Sequence, residues 1–383
     1  MKRVLYVLRS FAMLAGTERV VASKIDWLAS HGYEVMLVTY EQGSHPLAFP
    51  LHEAVQVKDL DVRFFKLQQL PLMRRYLAYR RMKAIFRQRL QAVVSDFRPD
   101  IITTTAYSLK IAGEIIKVAH GARLVMESHE TCYSVVKEYD YRSRPLMRFV
   151  ARLYDRQYYR TINRFDQLVT LTDGDAEVWR SRVKTPVLVI PNPLTLYPAV
   201  LEERSTERPL RIISVGRLES VKGFDRLISA FARIAARCPQ WQLAIYGHGS
   251  LESVLRQQIS KEGLEQRVTI YPPTPNIYHE YQQSDIYVLS SRHEGFGMVL
   301  LEAMSCGLPC VAFDCPYGPG EILDDGVTGR LVDDGDEAAM ASALLWMTTH
   351  QEERLRMGLQ AREAVKTYLI DEVMKRWQSL FDL

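Results

Sequence analysis

Glu294-Gly-Phe-Gly-Met-Val-Leu-Leu-Glu302 sets a glycine turn ahead of an apolar run and frames both with carboxylates. A turn that opens a helix offers backbone N–H groups to an anion, and carboxylates accept hydrogen bonds from hydroxyls. Phosphate and polyol recognised together describe a nucleotide-sugar. If the helix starts at Gly297, Glu302 lies about one and a half turns inside it, while Glu294 stays in the preceding loop. The two carboxylates are then expected at opposite ends of one elongated ligand. A strand, a glycine turn and a helix with two solvated glutamates is the alternative reading of this stretch alone.

The flanking sequence favours the first reading. Arg217-Leu-Glu-Ser-Val-Lys222-Gly223 follows the apolar run Leu210 to Val215 and precedes Leu227, Ile228, Phe231 and Ile234, which step at helical spacing. An Arg and a Lys therefore fall in a strand-to-helix loop, where doubly wound α/β sheets bind ligands. Strand and helix patterns alternate along the chain. Val4 to Leu8, Glu34 to Thr39, Ile101 to Thr104, Arg123 to Met126, Gln167 to Leu171 and Val187 to Ile190 read as strands, with helical patterns such as Glu18 to Ser30 and Leu109 to His120 between them. After Ile190-Pro-Asn-Pro193 the alternation restarts with Arg211 to Val215, Gln242 to Tyr246, Val268 to Tyr271, Ile286 to Leu289 and Pro309 to Ala312. This predicts two domains with parallel sheets, facing a cleft.

Six motifs in order between Ser214 and Gly329 carry a family resemblance: Ser214-Val-Gly-Arg-Leu-Glu-Ser-Val-Lys-Gly223, Tyr246-Gly-His-Gly249, Ser284-Asp-Ile-Tyr-Val-Leu-Ser-Ser291, Glu294 to Glu302, Ala303-Met-Ser-Cys-Gly-Leu-Pro309 and Glu321-Ile-Leu-Asp-Asp-Gly-Val-Thr-Gly329. The chain resembles the retaining glycosyltransferases with two Rossmann-like domains, the GT-B type of glycosyltransferase family 4 and glycosyl transferases group 1. The resemblance implies an acceptor-side domain over residues 1–193, a linker over 194–209 and a nucleotide-sugar domain over 210–365. It also implies a C-terminal helix over 366–383 that packs back on the first domain. It implies Arg217 and Lys222 at the diphosphate, where fixed cations stabilise the charge that develops on the leaving nucleotide. Glu302 is expected to accept from the ribose hydroxyls and Glu294 to sit near the transferred sugar. Gly247 and the backbone of Phe296, Gly297, Met298 and Val299 complete the expected donor site, with the base at Tyr271-Pro-Pro-Thr-Pro275.

In the first half, Ala15-Gly-Thr-Glu18 resembles the family's Gly-Gly-x-Glu loop with Ala15 in place of the first glycine, leaving Gly16, an expected donor-binding residue, to let the backbone approach a phosphate or acceptor. His129, just past the strand Arg123 to Met126, matches the family's active-site histidine by its place alone, and is expected to contact donor sugar or acceptor. A loop histidine bonded to Glu127 or Glu130 is the alternative. The implied reaction moves a hexose or N-acetylhexosamine from a nucleoside diphosphate to a glycan or polyprenyl-linked glycan in bacterial surface-glycan assembly. Uridine is expected from the family's usage. The leaving phosphate is expected to help deprotonate the acceptor on the same face.

Composition sets outer bounds. The 383 residues are 47% hydrophobic and 25% charged, ordinary for a globular chain of two domains. Met1-Lys-Arg-Val-Leu-Tyr-Val-Leu imitates a signal peptide, but Arg9 cuts the apolar stretch short and a buried first strand is expected. Five cysteines without paired spacing point to a reducing compartment, hence a cytoplasmic enzyme. Net charge is +4, yet residues 63–98 alone carry +9. There Leu72, Tyr76, Tyr79, Met82, Phe86, Leu90, Val93 and Val94 step by three and four, predicting an amphipathic helix. Arg74, Arg75, Arg80 and Arg81 are its candidate face for an anionic membrane or lipid-linked acceptor, which implies a peripheral enzyme on the inner face of the plasma membrane. Arg144, Arg148, Arg152, Arg156, Arg160 and Arg164 repeat the theme at a spacing that winds around a helix.

Three Asp-x-Asp triplets, Asp59-Leu-Asp61, Asp173-Gly-Asp175 and Asp334-Gly-Asp336, resemble the metal site of the other glycosyltransferase architecture, but their places suit loops and an N-cap. No catalytic metal and no cofactor are expected. A non-catalytic protein binding nucleic acid or nucleotide would also account for the basic helices, but no reader module is present and no nucleic-acid partner is expected. A nicotinamide oxidoreductase would need a G-x-G-x-x-G after a strand, which the chain lacks.

Overall fold

The structure, a computed structural model, describes residues 1–13, 16–135, 145–202 and 208–382. Ala15, Arg144 and part of the expected linker lie outside the described residues. The chain divides into two compact units, one of Met1–Thr195 with Val373–Leu383 and one of Leu196–Glu372.

The first unit holds a parallel sheet of β1 (Arg3–Leu8), β2 (Glu34–Thr39), β3 (Gln56–Asp59), β4 (Ile101–Thr105), β5 (Arg123–Glu127), β6 (Gln167–Thr170) and β7 (Val187–Val189), in the order β3-β2-β1-β4-β5-β6-β7. Five consecutive residues of β1, Val4 to Leu8, are buried, as expected for a central parallel strand covered on both faces. One face packs Leu5, Val7, Ile102, Leu124 and Met126 against Phe86, Leu90, Ile115 and Trp179. Trp377 and Phe381 of the C-terminal helix Ile370–Asp382 are also buried, and Lys2 Nζ donates to the Phe381 carbonyl at 2.5 Å.

The second unit repeats the plan with β8 (Leu210–Val215), β9 (Trp241–Tyr246), β10 (Val268–Tyr271), β11 (Ile286–Leu289), β12 (Cys310–Asp314) and β13 (Gly329–Asp333), ordered β10-β9-β8-β11-β12-β13. Every strand pair in both sheets is parallel. Both units are doubly wound, and in each the strand order reverses beside the first strand, at β1/β4 and β8/β11, where the fold opens a crevice at the carboxyl ends.

The three Asp-x-Asp triplets lie at a strand end, a helix start and a turn. Residues 329–333 form a strand that leads into the turn holding Asp334. Thr172 caps the helix Asp173–Arg180, its hydroxyl accepting from the Asp175 amide. Asp175 Oδ1 accepts from the Cys132 amide at 2.6 Å. Asp336 caps the helix Glu337–Thr349, Asp334 pairs with Arg226 at 2.9 Å, Asp59 accepts from Thr39 and from the Gly43 amide, and Asp61 pairs with Arg63. All three triplets thus serve local structure.

The helix Leu72–Phe97 divides along its length. Phe86, Leu90, Val93 and Val94 are core, whereas Met73, Tyr76 and Leu77 are 61–78% exposed. The helix Pro145–Ile162 buries Ala151 and Ile162 and exposes Phe149, Val150, Leu153 and Tyr154. No described helix is long and apolar enough to cross a membrane, and all five cysteines are free and buried.

Candidate active site

The loops that leave β8 and β11 are zipped together. Gly223 ends the β8 loop at φ +63°, and a Cβ there would stand 2.0 Å from the Ser290 carbonyl oxygen, so only glycine permits this approach. The Ser290 hydroxyl donates to the Lys222 carbonyl at 3.0 Å and the Arg292 amide to that of Val221 at 2.8 Å. Arg292 also grips Asp225 with two parallel bonds of 2.8 and 2.6 Å, the strong bidentate geometry.

This seam brings Lys222 onto Glu294. Lys222 Nζ donates to Glu294 Oε1 at 2.7 Å, and the Ser291 hydroxyl donates to the same oxygen at 2.6 Å. The side chains are 19% and 9% exposed. A carboxylate so far out of water requires such partners. Its backbone is fixed too, the Glu294 amide donating to the Pro316 carbonyl and the Tyr317 amide to that of Glu294.

Gly297, at φ +103°, turns the chain into the helix Met298–Ser305. The Leu300 amide bonds back to the Gly297 carbonyl at 2.8 Å, whereas those of Met298 and Val299 precede the intrahelical ladder. Inside the helix, Glu302 is buried, and Tyr281 donates to its Oε2 at 3.4 Å. Burial, and then the Glu302 charge, push the Tyr281 hydroxyl well above its usual range and keep it a donor. Tyr287 is wholly buried, and its hydroxyl is pushed up by burial first and then by Glu294, Cys310 and Glu302. Tyr287, a strand residue that feels both glutamates, is therefore a neutral phenol.

Arg217 stands exposed at the other end of the β8 loop. It helps hold Glu219 below the usual carboxylate range, after the Ser250 amide and hydroxyl. Gly247 is pressed against the Gly216 carbonyl, and its own amide is occupied by the Tyr271 carbonyl at 3.0 Å. Phe296 buries its ring against Tyr368. Tyr246 and Tyr271 stack at 4.8 Å. The second unit thus places Arg217, Lys222, Gly247, Glu294, Phe296 and Gly297 on loops at the carboxyl edge of one sheet, and Met298, Val299 and Glu302 in the helix that follows.

Gly16 and His129 belong to the first unit. Gly16 opens the helix Gly16–Ser30, and a Cβ there would meet nothing within 4 Å. His129 follows β5 by two residues, its side chain 2% exposed and its Nε2 3.0 Å from Glu127 Oε2. The same carboxylate oxygen accepts from Lys24 Nζ at 2.5 Å, and that ammonium lies 3.5 Å from the ring centroid of Trp377. Sequence reasoning assigned no role to Lys24, Trp377, Ser291, Tyr281 or Arg292. The one signal at Lys24 was a charge on the apolar face of its helix, among Val20, Val21, Ile25 and Leu28.

Comparison with known proteins agrees with this architecture. The family "Glycosyl transferases group 1" matches residues 201–364, and "Glycosyl transferase 4-like domain" matches residues 15–193. An uncharacterized glycosyltransferase of Haemophilus influenzae is 26% identical over 387 residues, covering 99% of this chain and 100% of its own. The lipopolysaccharide 1,6-galactosyltransferase of Salmonella typhimurium is 32% identical over 153 residues, 39% of this chain and 42% of its own. Anabaena HepE, solved in complex with UDP and glucose, superposes with a TM-score of 0.72 at 19% identity over the whole of both chains. The matched families cover both units, and the chain is a glycosyltransferase of the GT-B fold, belonging to glycosyl transferases group 1.

Proposed function

We propose that the enzyme transfers a hexose or N-acetylhexosamine from UDP to a glycan or lipid-linked glycan of the bacterial surface, with retention at the anomeric carbon. The observation that carries the reading is the gathering of Lys222, Glu294 and the start of the helix Met298–Ser305 at the β8/β11 reversal. Lys222 and Arg217 balance the diphosphate and the charge that grows on it as the glycosidic bond breaks. The amides of Met298 and Val299, with the turn at Phe296-Gly297, meet phosphate and sugar oxygens. Glu302, steadied by Tyr281, accepts from the ribose, while Glu294 faces the sugar. Gly247 supports the loop by close packing. The side chains of the Asp-x-Asp triplets are engaged elsewhere, so the two cations do the work given to a divalent metal in the other architecture.

Retention rests on the family resemblance, and UDP on that resemblance and on the ligand of HepE. The second unit, 210–365 in the expected division, holds the donor. The first, residues 1–193, holds the acceptor, with Gly16 and His129 lining the reacting end. The surface-glycan acceptor rests on relatives such as the lipopolysaccharide galactosyltransferase. Arg74, Arg75, Arg80 and Arg81 are exposed beside Met73, Tyr76 and Leu77, a face suited to an anionic membrane that presents a lipid-linked acceptor. A thermal-shift panel of UDP-, GDP- and ADP-sugars tests the donor, because a ligand that binds the folded state alone raises the melting temperature, and more so the further its concentration exceeds its Kd. A shift with GDP- or ADP-sugars and none with UDP-sugars overturns the choice of nucleotide.

A further inference from the structure

Tyr6 hydroxyl, Thr103 Oγ1, Glu127 Oε1 and His129 Nδ1 are among the polar atoms of the first unit that are buried without a hydrogen-bond partner among the described residues. Tyr6 and Thr103 are register partners across β1 and β4, and Glu127 ends the next strand. Lys24 reaches the group from the helix Gly16–Ser30 and Trp377 covers it from the C-terminal helix. His129 in turn lines a cavity of about 170 Å³ with Tyr107, Lys110, Glu130 and Tyr158.

Hydrogen-bond roles here follow from charge. Lys24, its buried ammonium 2.5 Å from Glu127 Oε2, keeps that carboxylate ionised. An ionised carboxylate only accepts, so the His129 nitrogen 3.0 Å from it, Nε2, carries hydrogen. Because Lys24 already balances Glu127, the imidazole needs no second proton for charge balance. Nδ1 is left as the lone-pair end of a neutral ring. A buried ion pair is replaceable by apolar side chains of similar volume without loss of fold, so its presence beside a histidine calls for a purpose other than stability.

The geometry points to Lys24 and Glu127 as positioning residues that lock His129 in the Nε2–H tautomer, so that Nδ1 accepts a hydrogen bond from a sugar hydroxyl. This rests on the reading of His129 as a ligand contact. The hydroxyl is held as a donor by a neutral acceptor, which a protonated or oppositely tautomerised ring could not supply.

Nitrogen-15 NMR of the histidine rings in the full-length protein reads the tautomer directly. Wild type is expected to show Nε2 bearing hydrogen and Nδ1 bare. In Glu127→Gln, the amide serves either as donor or as acceptor, and the ring is expected to average between tautomers. Turnover with a UDP-sugar then falls at least about tenfold while affinity for UDP is unchanged. Glu127→Gln also strands Lys24, so the double variant Lys24→Met, Glu127→Gln guards against simple unfolding. It is expected to melt near wild type yet keep the loss of turnover and the mixed tautomer. An Nδ1–H ring in the wild type, or wild-type turnover in the double variant, overturns the lock. Wild-type turnover in His129→Ala with the single tautomer present in the parent overturns instead the ligand contact given to His129, and with it the purpose of the lock.

Discussion

Lys222 Nζ and Glu294 Oε1 are 2.7 Å apart. The cation expected at the diphosphate and the carboxylate expected at the sugar are thus one ion pair, with Ser291 as a third member. A diphosphate that recruits Lys222 must share it with Glu294. With the roles proposed above, donor binding at the phosphate end would change the hydrogen bonding of the carboxylate at the sugar end.

Lys222→Ala and Arg217→Ala are each expected to lower turnover by about two to three orders of magnitude, the effect of losing one donor to a developing charge. They should differ in stability. Removing Lys222 leaves the buried Glu294 carboxylate without its cation and lowers the melting temperature, whereas Arg217 is exposed. Initial rates and thermal melts on both variants decide this. Wild-type turnover in Lys222→Ala would refute its role at the phosphate. Activity should persist in EDTA, and a loss there that manganese restores would reverse the assignment of charge balance to the two cations.

Glu302→Gln keeps the size of the side chain but weakens acceptance from ribose, so affinity for free UDP should fall about five- to tenfold. Glu294→Gln should reduce transfer while leaving UDP affinity the same or tighter, because it releases Lys222 toward the phosphate. Calorimetry with UDP on both variants separates them. Equal weakening would place both carboxylates at one end of the ligand.

The fold was legible because its signals are local. Apolar runs such as Val4 to Leu8 and Ile286 to Leu289 announce buried strands, and glycine turns such as Gly223 and Gly297 mark where strands pass into helices. Strand β3, Gln-Val-Lys-Asp at residues 56–59, carries no such signal because its first three residues are exposed. Residues 329–333 were hidden by the Asp-Asp-Gly cluster that follows. The site was legible as a set of motifs and not as a set of contacts. Nothing near Lys222 in sequence names Glu294 as its partner 72 residues away, nor Glu127 as the partner of Lys24 at a separation of 103. Pairings of that kind depend on which strand lies beside which, and the order reverses at the very position where Lys222 and Glu294 meet.

Glu127 supplies a pH signature. Burial alone would push its carboxyl up, but Lys24 and His129 outweigh that and hold it at about 2. An unfolded glutamate titrates near ~4.3. With the folded value below the unfolded one, the group's contribution to stability is complete above about pH 4.3 and is lost as pH falls toward 2. Denaturant unfolding between pH 5 and pH 2.5 should therefore show a steeper decline in wild type than in Glu127→Gln. Parallel curves would mean that Glu127 is not paired as described.

The exposed end of the helix Leu72–Phe97 gives the last prediction. Met73, Tyr76 and Leu77 stand in solvent where the same helix farther along buries Phe86 and Leu90. Arg74, Arg80 and Arg81 lie exposed beside them, while Arg75 is partly engaged with the Leu70 carbonyl. A cationic face that only kept the protein soluble would have no use for large apolar side chains among its charges. A face that rests on an anionic bilayer uses both, since each Lys or Arg near such a surface contributes about 1 kcal/mol and apolar side chains enter the headgroup boundary. Replacing Arg74, Arg75, Arg80 and Arg81 with Gln should abolish sedimentation with phosphatidylglycerol vesicles and slow transfer to a lipid-linked acceptor. Wild-type sedimentation should itself weaken as salt rises, because screening shortens the range of the attraction. Affinity for UDP should not change, as the proposed donor residues lie in the other unit. If the quadruple variant sediments and transfers like wild type, the arginines are solvated charges and the acceptor reaches the enzyme by another face.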